Sequence, residues 1–198
     1  MTGDQGVVIA HQSKPKSGES ANGDAIVVKT YPHGALVAIV DALGHGPRAE
    51  EVAKLAHDHI TETYPAFPEK GAVDVMRGLH SALRGTRGAC ATICLIRGRA
   101  LEACGVGNVE MRCVGASIPV VLTPGIVGVQ LRNPRAFSGV LLPSAWCFLF
   151  SDGVSRRAPF AELSKLTPHD ACQSLMRKHR HSHDDASVII VAAKEPDR

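Results

Sequence analysis

Residues 35–46 read ALVAIVDALGHG: six apolar residues, an aspartate, then a turn rich in glycine. A continuous apolar run bounded by Gly34 and Asp41 predicts a strand covered on both faces. The arrangement recurs late in the chain, where CFLF (147–150) runs into Ser151, Asp152 and Gly153. Two further runs are preceded by aspartate: Asp24 stands before AIVVKT, and the pair Asp184-Asp185 before ASVIIV. In an antiparallel sheet the end of one strand lies beside the start of its neighbour. Two strands that finish in Asp and two that begin with Asp therefore bring their carboxylates to one edge. Without counter-charge such a cluster repels itself, and some members protonate. Hard divalent cations, Mg²⁺ or Mn²⁺, are the usual partners of an all-oxygen ligand set. The glycines after Asp41 and Asp152 permit close backbone approach, so a main-chain carbonyl can join such a shell. Turn formation and helix capping are the competing roles for each aspartate taken singly.

Working outward, residues 7–11 and 25–30 are short β-branched runs of strand type. After Gly46 the period changes to a helical one. Pro47 suits the first helical position, and Val52, Leu55, Ala56, His59 and Ile60 fall on one stripe, read as core. Residues 72–83 form a second helical pattern through Val75, Met76, Leu79 and Leu83, closed by Gly85 and Gly88. From residue 89 the pattern is β. Segments 91–96, 100–106, 109–114 and 118–122 read as an antiparallel meander, followed by a buried strand at 145–151. Residues 159–166 and 168–179 look helical, and 186–193 is a last apolar strand. The order β–β–β, α–α, meander, β, α–α, β is not a regular βαβ alternation and favours helices packed on largely antiparallel sheets.

The 198 residues suit a single domain, and 44% hydrophobic with 21% charged residues is a globular profile. A net charge of +3 is too thin and scattered for nucleic acid as the main partner, and eight aromatic residues make no base-stacking platform. The most apolar stretch, residues 139–150, is shorter than the roughly 20 residues of a membrane span and is interrupted by Pro143. The N-terminus lacks the pattern of a secretory signal. None of the six cysteines forms CxxC, which points to buried reduced thiols and a cytoplasmic location rather than structural zinc. No cysteine is followed six positions later by arginine and no GK[ST] occurs, so a cysteine-nucleophile phosphatase loop and a P-loop are both absent.

The ordered set Asn22-Gly23-Asp24-Ala25, Asp41-Ala42-Leu43-Gly44-His45-Gly46, Ser151-Asp152-Gly153 and Asp184-Asp185-Ala186-Ser187-Val188 resembles the metal-dependent protein phosphatases of the type 2C, or PPM, family. Residues 87–92 (RGACAT) and 105–109 (GVGNV) resemble its compact bacterial SpoIIE/RsbX-like branch. The resemblance runs from about Gly18 to Val191. It implies an α+β fold: an αββα sandwich of two mostly antiparallel β-sheets flanked by helical pairs, in one domain over 1–198. It also implies a dinuclear Mn²⁺ or Mg²⁺ site. Carried over by position, Asp41 bridges the ions, the Ala42 carbonyl completes one shell, and Asp152 and Asp184 hold the other ion. Asp24 ligates or orients bound water, with Asp185 as the weaker candidate of its pair. The implied chemistry is attack on phosphorus by a water activated by two cations, without a covalent phosphoenzyme. The implied substrate is phosphoserine or phosphothreonine on a bacterial regulatory protein, such as a stressosome scaffold component.

The resemblance departs at three positions: Ala42 where the family usually has Gly, Gly23 where an acidic residue often stands, and Asn108 where many relatives have Asp. Ala42 and Gly23 favour an alternative, a catalytically weak or inactive phosphatase-like module that binds a phosphoprotein. A third reading is a structural domain whose aspartates only cap turns. His45, in the glycine-rich turn, is a candidate general acid, since a histidine near neutral pKa suits a leaving alkoxide. Lys16 is the leading candidate to bind substrate phosphate, with Lys14, Arg156 and Arg157 as further cations. His179, His181 and His183 read as solvent-facing loop residues.

Overall fold

The computed structural model describes residues 6–32 and 34–194. Its elements in chain order begin β1 (Val7–Lys14), β2 (Asp24–Tyr31), β3 (Gly34–Ala42), α1 (Pro47–Thr63) and α2 (Ala72–Ala82). The central part holds β4 (Ala89–Arg97), β5 (Ala100–Val106), β6 (Glu110–Val114), the two-residue strands β7 (Leu122–Thr123), β8 (Gly125–Ile126) and β9 (Gln130–Leu131), and β10 (Ala136–Val140). The chain continues through β11 (Trp146–Phe150), α3 (Phe160–Leu163), α4 (Pro168–Lys178) and β12 (Ala186–Ala193).

Two sheets stack face to face. One has the order β1-β12-β11-β6, all antiparallel; the other runs β10-β5-β4-β3-β2, with β7 joining β5 in parallel. β3 shows why its sequence is apolar throughout. Successive side chains of a strand point to opposite faces. Leu36, Ala38 and Val40 meet α1 and α2, while Ala35, Val37 and Ile39 enter the space between the sheets. All six are fully buried. β12 is divided likewise: Val188 and Ile190 face α3 and α4, and Ile189 and Val191 face the opposite sheet. The layers are therefore helices, sheet, sheet, helices, as expected of an αββα sandwich. No helix among the described residues is long and apolar enough to cross a membrane.

The structure corrects several local expectations. The segment from 91 to 122 is no meander within one sheet: β6 leaves β5 and pairs with β11 in the facing sheet. Residues 118–121 are not a strand, because they cross the edge of the sandwich, and only Leu122 and Thr123 join β5. β10, with Gly139 and alternating exposure, escaped the pattern reading. The helix expected over 159–166 is the single turn α3. In α1 the buried stripe is Ala49, Val52, Ala53, Ala56 and Ile60. Small alanines let that helix lie close on β2 and β3, which rotates Leu55 outward to 42% exposure instead of into the core.

Candidate metal centre

Four aspartates meet at one end of the sandwich. Asp24 opens β2 and lies directly opposite Asp41, near the end of β3. Asp152 follows β11 by two residues and Asp184 precedes β12 by two, and those strands are neighbours in the other sheet. Antiparallel pairing in each sheet thus supplies one strand-ending and one strand-opening carboxylate. Ser151 connects the layers: its hydroxyl donates to Asp24 Oδ2 at 2.7 Å, and it accepts from the Ser187 N–H at 3.0 Å. In the sequence Ser151 and Ser187 enter only as members of the quoted aspartate motifs, with no role of their own.

The site is graded in depth. Asp24 is buried, Asp41 is half-buried, and Asp152 stands at the rim. Burial drives the Asp24 carboxyl from an ordinary 3.8 up to about 7, opposed by hydroxyl donation from Ser151 and Ser187. Asp41 is pushed to about 9, first by burial and then by the charges of Asp24, Asp152 and Asp184. Asp152 is raised by burial and by Asp184. Among the described residues no three acidic, histidine or cysteine side chains already converge as a ready ion cage; Asp41 and Asp152 hydrogen-bond each other instead. Asp24 Oδ1, however, is buried with no hydrogen-bond partner. An orphaned carboxylate oxygen beside carboxyls forced to keep protons is an arrangement that hard divalent cations satisfy, since they neutralise the charge and take oxygen ligands.

No family model matches this chain, and no curated protein does so either. Solved structures do. One described as "The bacterial stressosome: a modular system that has been adapted to control secondary messenger signaling" superposes with a TM-score of 0.85 at 28% identity, covering 93% of this chain and 98% of that one. RsbX in complex with magnesium gives 0.79 at 20% identity, with 94% of each chain covered. The catalytic domain of the serine/threonine protein phosphatase PstP, in complex with two manganese ions, gives 0.73 at 12% identity over 96% of this chain and 99% of that one. The fold is that of the PPM, or PP2C-type, phosphatases. Within this PP2C-type fold the carboxylate end described above is the candidate active site.

Two of the three departures noted in the sequence, Ala42 and Gly23, have structural accounts here. Ala42 is 1% exposed in the core beneath α1 and α2, and its φ is not positive, so nothing there requires glycine. At Gly23 a Cβ would come within 2.9 Å of both the Ala49 Cβ and Asp185 Oδ2, so the space for a side chain is already filled. Asp185 fills it. Its Oδ1 accepts from the Lys16 N–H and its Oδ2 from the Gly23 N–H, each at 2.8 Å. Asp185 therefore ties the loop before β2 to the start of β12. Each of its oxygens thus already accepts from one backbone donor.

At the rim, His45 Nδ1 lies 3.0 Å from Glu19 Oε1, and Lys16 Nζ lies 3.3 Å from His45 Nε2 and 3.4 Å from the same glutamate oxygen. Lys16 and His45, assigned separately from sequence, thus share one carboxylate, Glu19. Only tertiary contact shows that partner. Arg180 braces the same loop by donating to the Pro15 carbonyl and to Ser17 Oγ. Asn108 donates to Asp152 Oδ2 at 2.7 Å, so it fixes a rim carboxylate from the β5–β6 turn. Of the other candidate cations, Arg156 pairs with Glu110 at 2.7 Å. The rings of His181 and His183 lie tilted against one another, their centroids 5.4 Å apart.

Proposed function

We propose that this chain is a Mn²⁺- or Mg²⁺-dependent serine/threonine protein phosphatase acting on a phosphorylated regulatory protein of the stressosome type. The observation that carries the reading is the placement of Asp24, Asp41, Asp152 and Asp184 at one end of the sandwich, near enough to raise the Asp41 pKa, with Asp24 Oδ1 unsatisfied. The stressosome-related and RsbX likenesses, which extend over nearly the whole chain, support the choice of partner. Six free thiols accord with a cytoplasmic setting.

In this reading Asp41, Asp152 and Asp184 would hold the ions together with the Ala42 carbonyl, and Asp24 would contribute its open oxygen. When bound, two such cations lower the pKa of water and offset the charge that develops on the phosphoryl oxygens. Lys16 meets the substrate phosphate at the rim. His45, in its imidazolium form with Nδ1–H donating to Glu19, would pass its Nε2 proton to the departing serine or threonine oxygen once Lys16 Nζ turns from that nitrogen to the phosphate. Ser151 and Asn108 hold Asp24 and Asp152 in place. An inactive binding module is not favoured, because Ala42 sits in ordinary strand backbone and Asp185 fills the space at Gly23.

The test is hydrolysis of an aryl phosphate and a phosphoserine peptide with and without Mn²⁺, with Asp41→Asn and Asp152→Asn as controls. Turnover that needs Mn²⁺ and is lost in both variants is the expected result. Turnover that survives chelator, or survives both substitutions, removes the metal mechanism.

A further inference from the structure

Beside the aspartate site, the surface carries a notch that the proposed chemistry does not use. The cavity, about 590 Å³, lies between the first turns of α1 and the turn joining α2 to β4. Arg48 and Arg87 stand on its walls, Val52 and Leu55 line it, and Glu51 is its one acidic residue. No ion pair among the described residues involves either arginine. Arg87 reaches over the loop that follows Asp41, where its Nη1 donates to the Leu43 carbonyl at 2.8 Å. The guanidinium rests on Gly44, at φ +83°, where any Cβ would stand 2.7 Å from Nη1. The notch is therefore fastened to the turn that bears Asp41.

The apolar surroundings are equally specific. Leu43 is 36% exposed, Leu55 42% and Val129 58%. Leu55 lines the notch together with Arg87, the Leu43 backbone carbonyl accepts from Arg87, and Val129 sits against Gly88, the next residue. Large apolar side chains grouped beside uncompensated cations mark a surface for a partner that is apolar and acidic. A guanidinium presents several donors in a planar fork that suits carboxylates.

We infer that this notch docks the acidic segment flanking the phosphoserine or phosphothreonine of the protein substrate. Arg48 and Arg87 pair with its carboxylates, and Leu43 and Leu55 cover one of its apolar side chains. The inference rests on the phosphatase reading and makes Arg48 and Arg87 determinants of specificity, not catalytic residues.

Two phosphoserine peptides test it, one flanked by Asp, Glu and Leu and the other by Lys and Leu at the same positions. Two exposed charge pairs give the wild type about a tenfold preference for the acidic peptide in kcat/KM. Arg48→Ala and Arg87→Ala each lower kcat/KM for that peptide about three- to fivefold, mainly through KM. The double variant Arg48→Glu/Arg87→Glu reverses the preference. Aryl phosphate, too small to span the notch, separates docking from chemistry. Equal use of the two peptides, or an unchanged preference in the double variant, overturns the docking while aryl phosphate turnover keeps the phosphatase reading. If the wild type shows no Mn²⁺-dependent turnover, that reading fails, and anisotropy of the labelled acidic peptide decides the notch. Binding weakened in the double variant sustains it; equal binding overturns it. A dimer in sedimentation that Leu55→Asp dissociates assigns the face to a second copy and also overturns the inference.

Discussion

Replacing Asp24 by asparagine should stabilise the metal-free protein, in a direction opposite to most buried substitutions. Asp24 lies almost wholly inside, with one oxygen accepting from Ser151 and the other unsatisfied. Its pKa rises on folding from 3.8 to about 7. The folded state then binds more protons than the unfolded state across that interval, so this group's contribution to stability falls as pH rises through it. The contribution is fully present below pH 3.8 and lost by about pH 7. A span of about three pH units at 1.36 kcal/mol each is roughly 4 kcal/mol, reduced in practice where loops relax and water enters. Asparagine keeps the acceptor for Ser151 and cannot ionise. Urea unfolding in EDTA at pH 3.5, 6 and 8 should therefore show the variant and wild type nearly equal at the lowest pH. The variant should be ahead by about 2–4 kcal/mol at pH 8. Mn²⁺ at a hundred times its Kd should restore about 2.7 kcal/mol to the wild type and less to the variant. Parallel stability curves for the two proteins in EDTA would refute the reasoning, since Asp24 would then carry no strain for a cation to relieve.

Other expectations follow from single contacts. Gly153→Ala places a methyl against the Asp185 carbonyl, where there is no room; a loss of about 3 kcal/mol, or roughly 10 °C in Tm, should appear in a thermal melt. Ser151→Ala removes the hydroxyl that donates to Asp24 and accepts from Ser187 N–H. It should cost about 1–3 kcal/mol by urea unfolding and lower Mn²⁺ affinity in a titration. Glu19→Gln releases Lys16 and His45 from a shared carboxylate at the rim. It should tighten inhibition by inorganic phosphate a few-fold, with stability changed by less than about 1 kcal/mol. Ala42→Gly should leave Mn²⁺-dependent turnover within a few-fold of wild type and cost about 1 kcal/mol of stability, because Ala42 occupies regular strand backbone.

Much of the architecture was legible along the chain because burial on two faces demands unbroken apolar strands, and residues 35–40, 147–150 and 186–193 satisfy that demand. The aspartates at their ends were legible for the same reason: polarity changes abruptly where a covered strand meets solvent. Leu55 was misread because periodicity alone does not say which side of a helical stripe meets the sheet, and here the alanines decide it.

The linear order of residues by itself determined the layered fold class and the grouping of Asp24, Asp41, Asp152 and Asp184 at strand termini. Local patterning suffices for both. Tertiary structure alone decided that β6 changes sheets, that Asp185 serves the backbone, that Glu19 joins Lys16 to His45, and that Arg87 lies across the turn after Asp41. Each of these depends on groups distant in sequence meeting within hydrogen-bonding range, and such contacts leave no periodic trace in the chain.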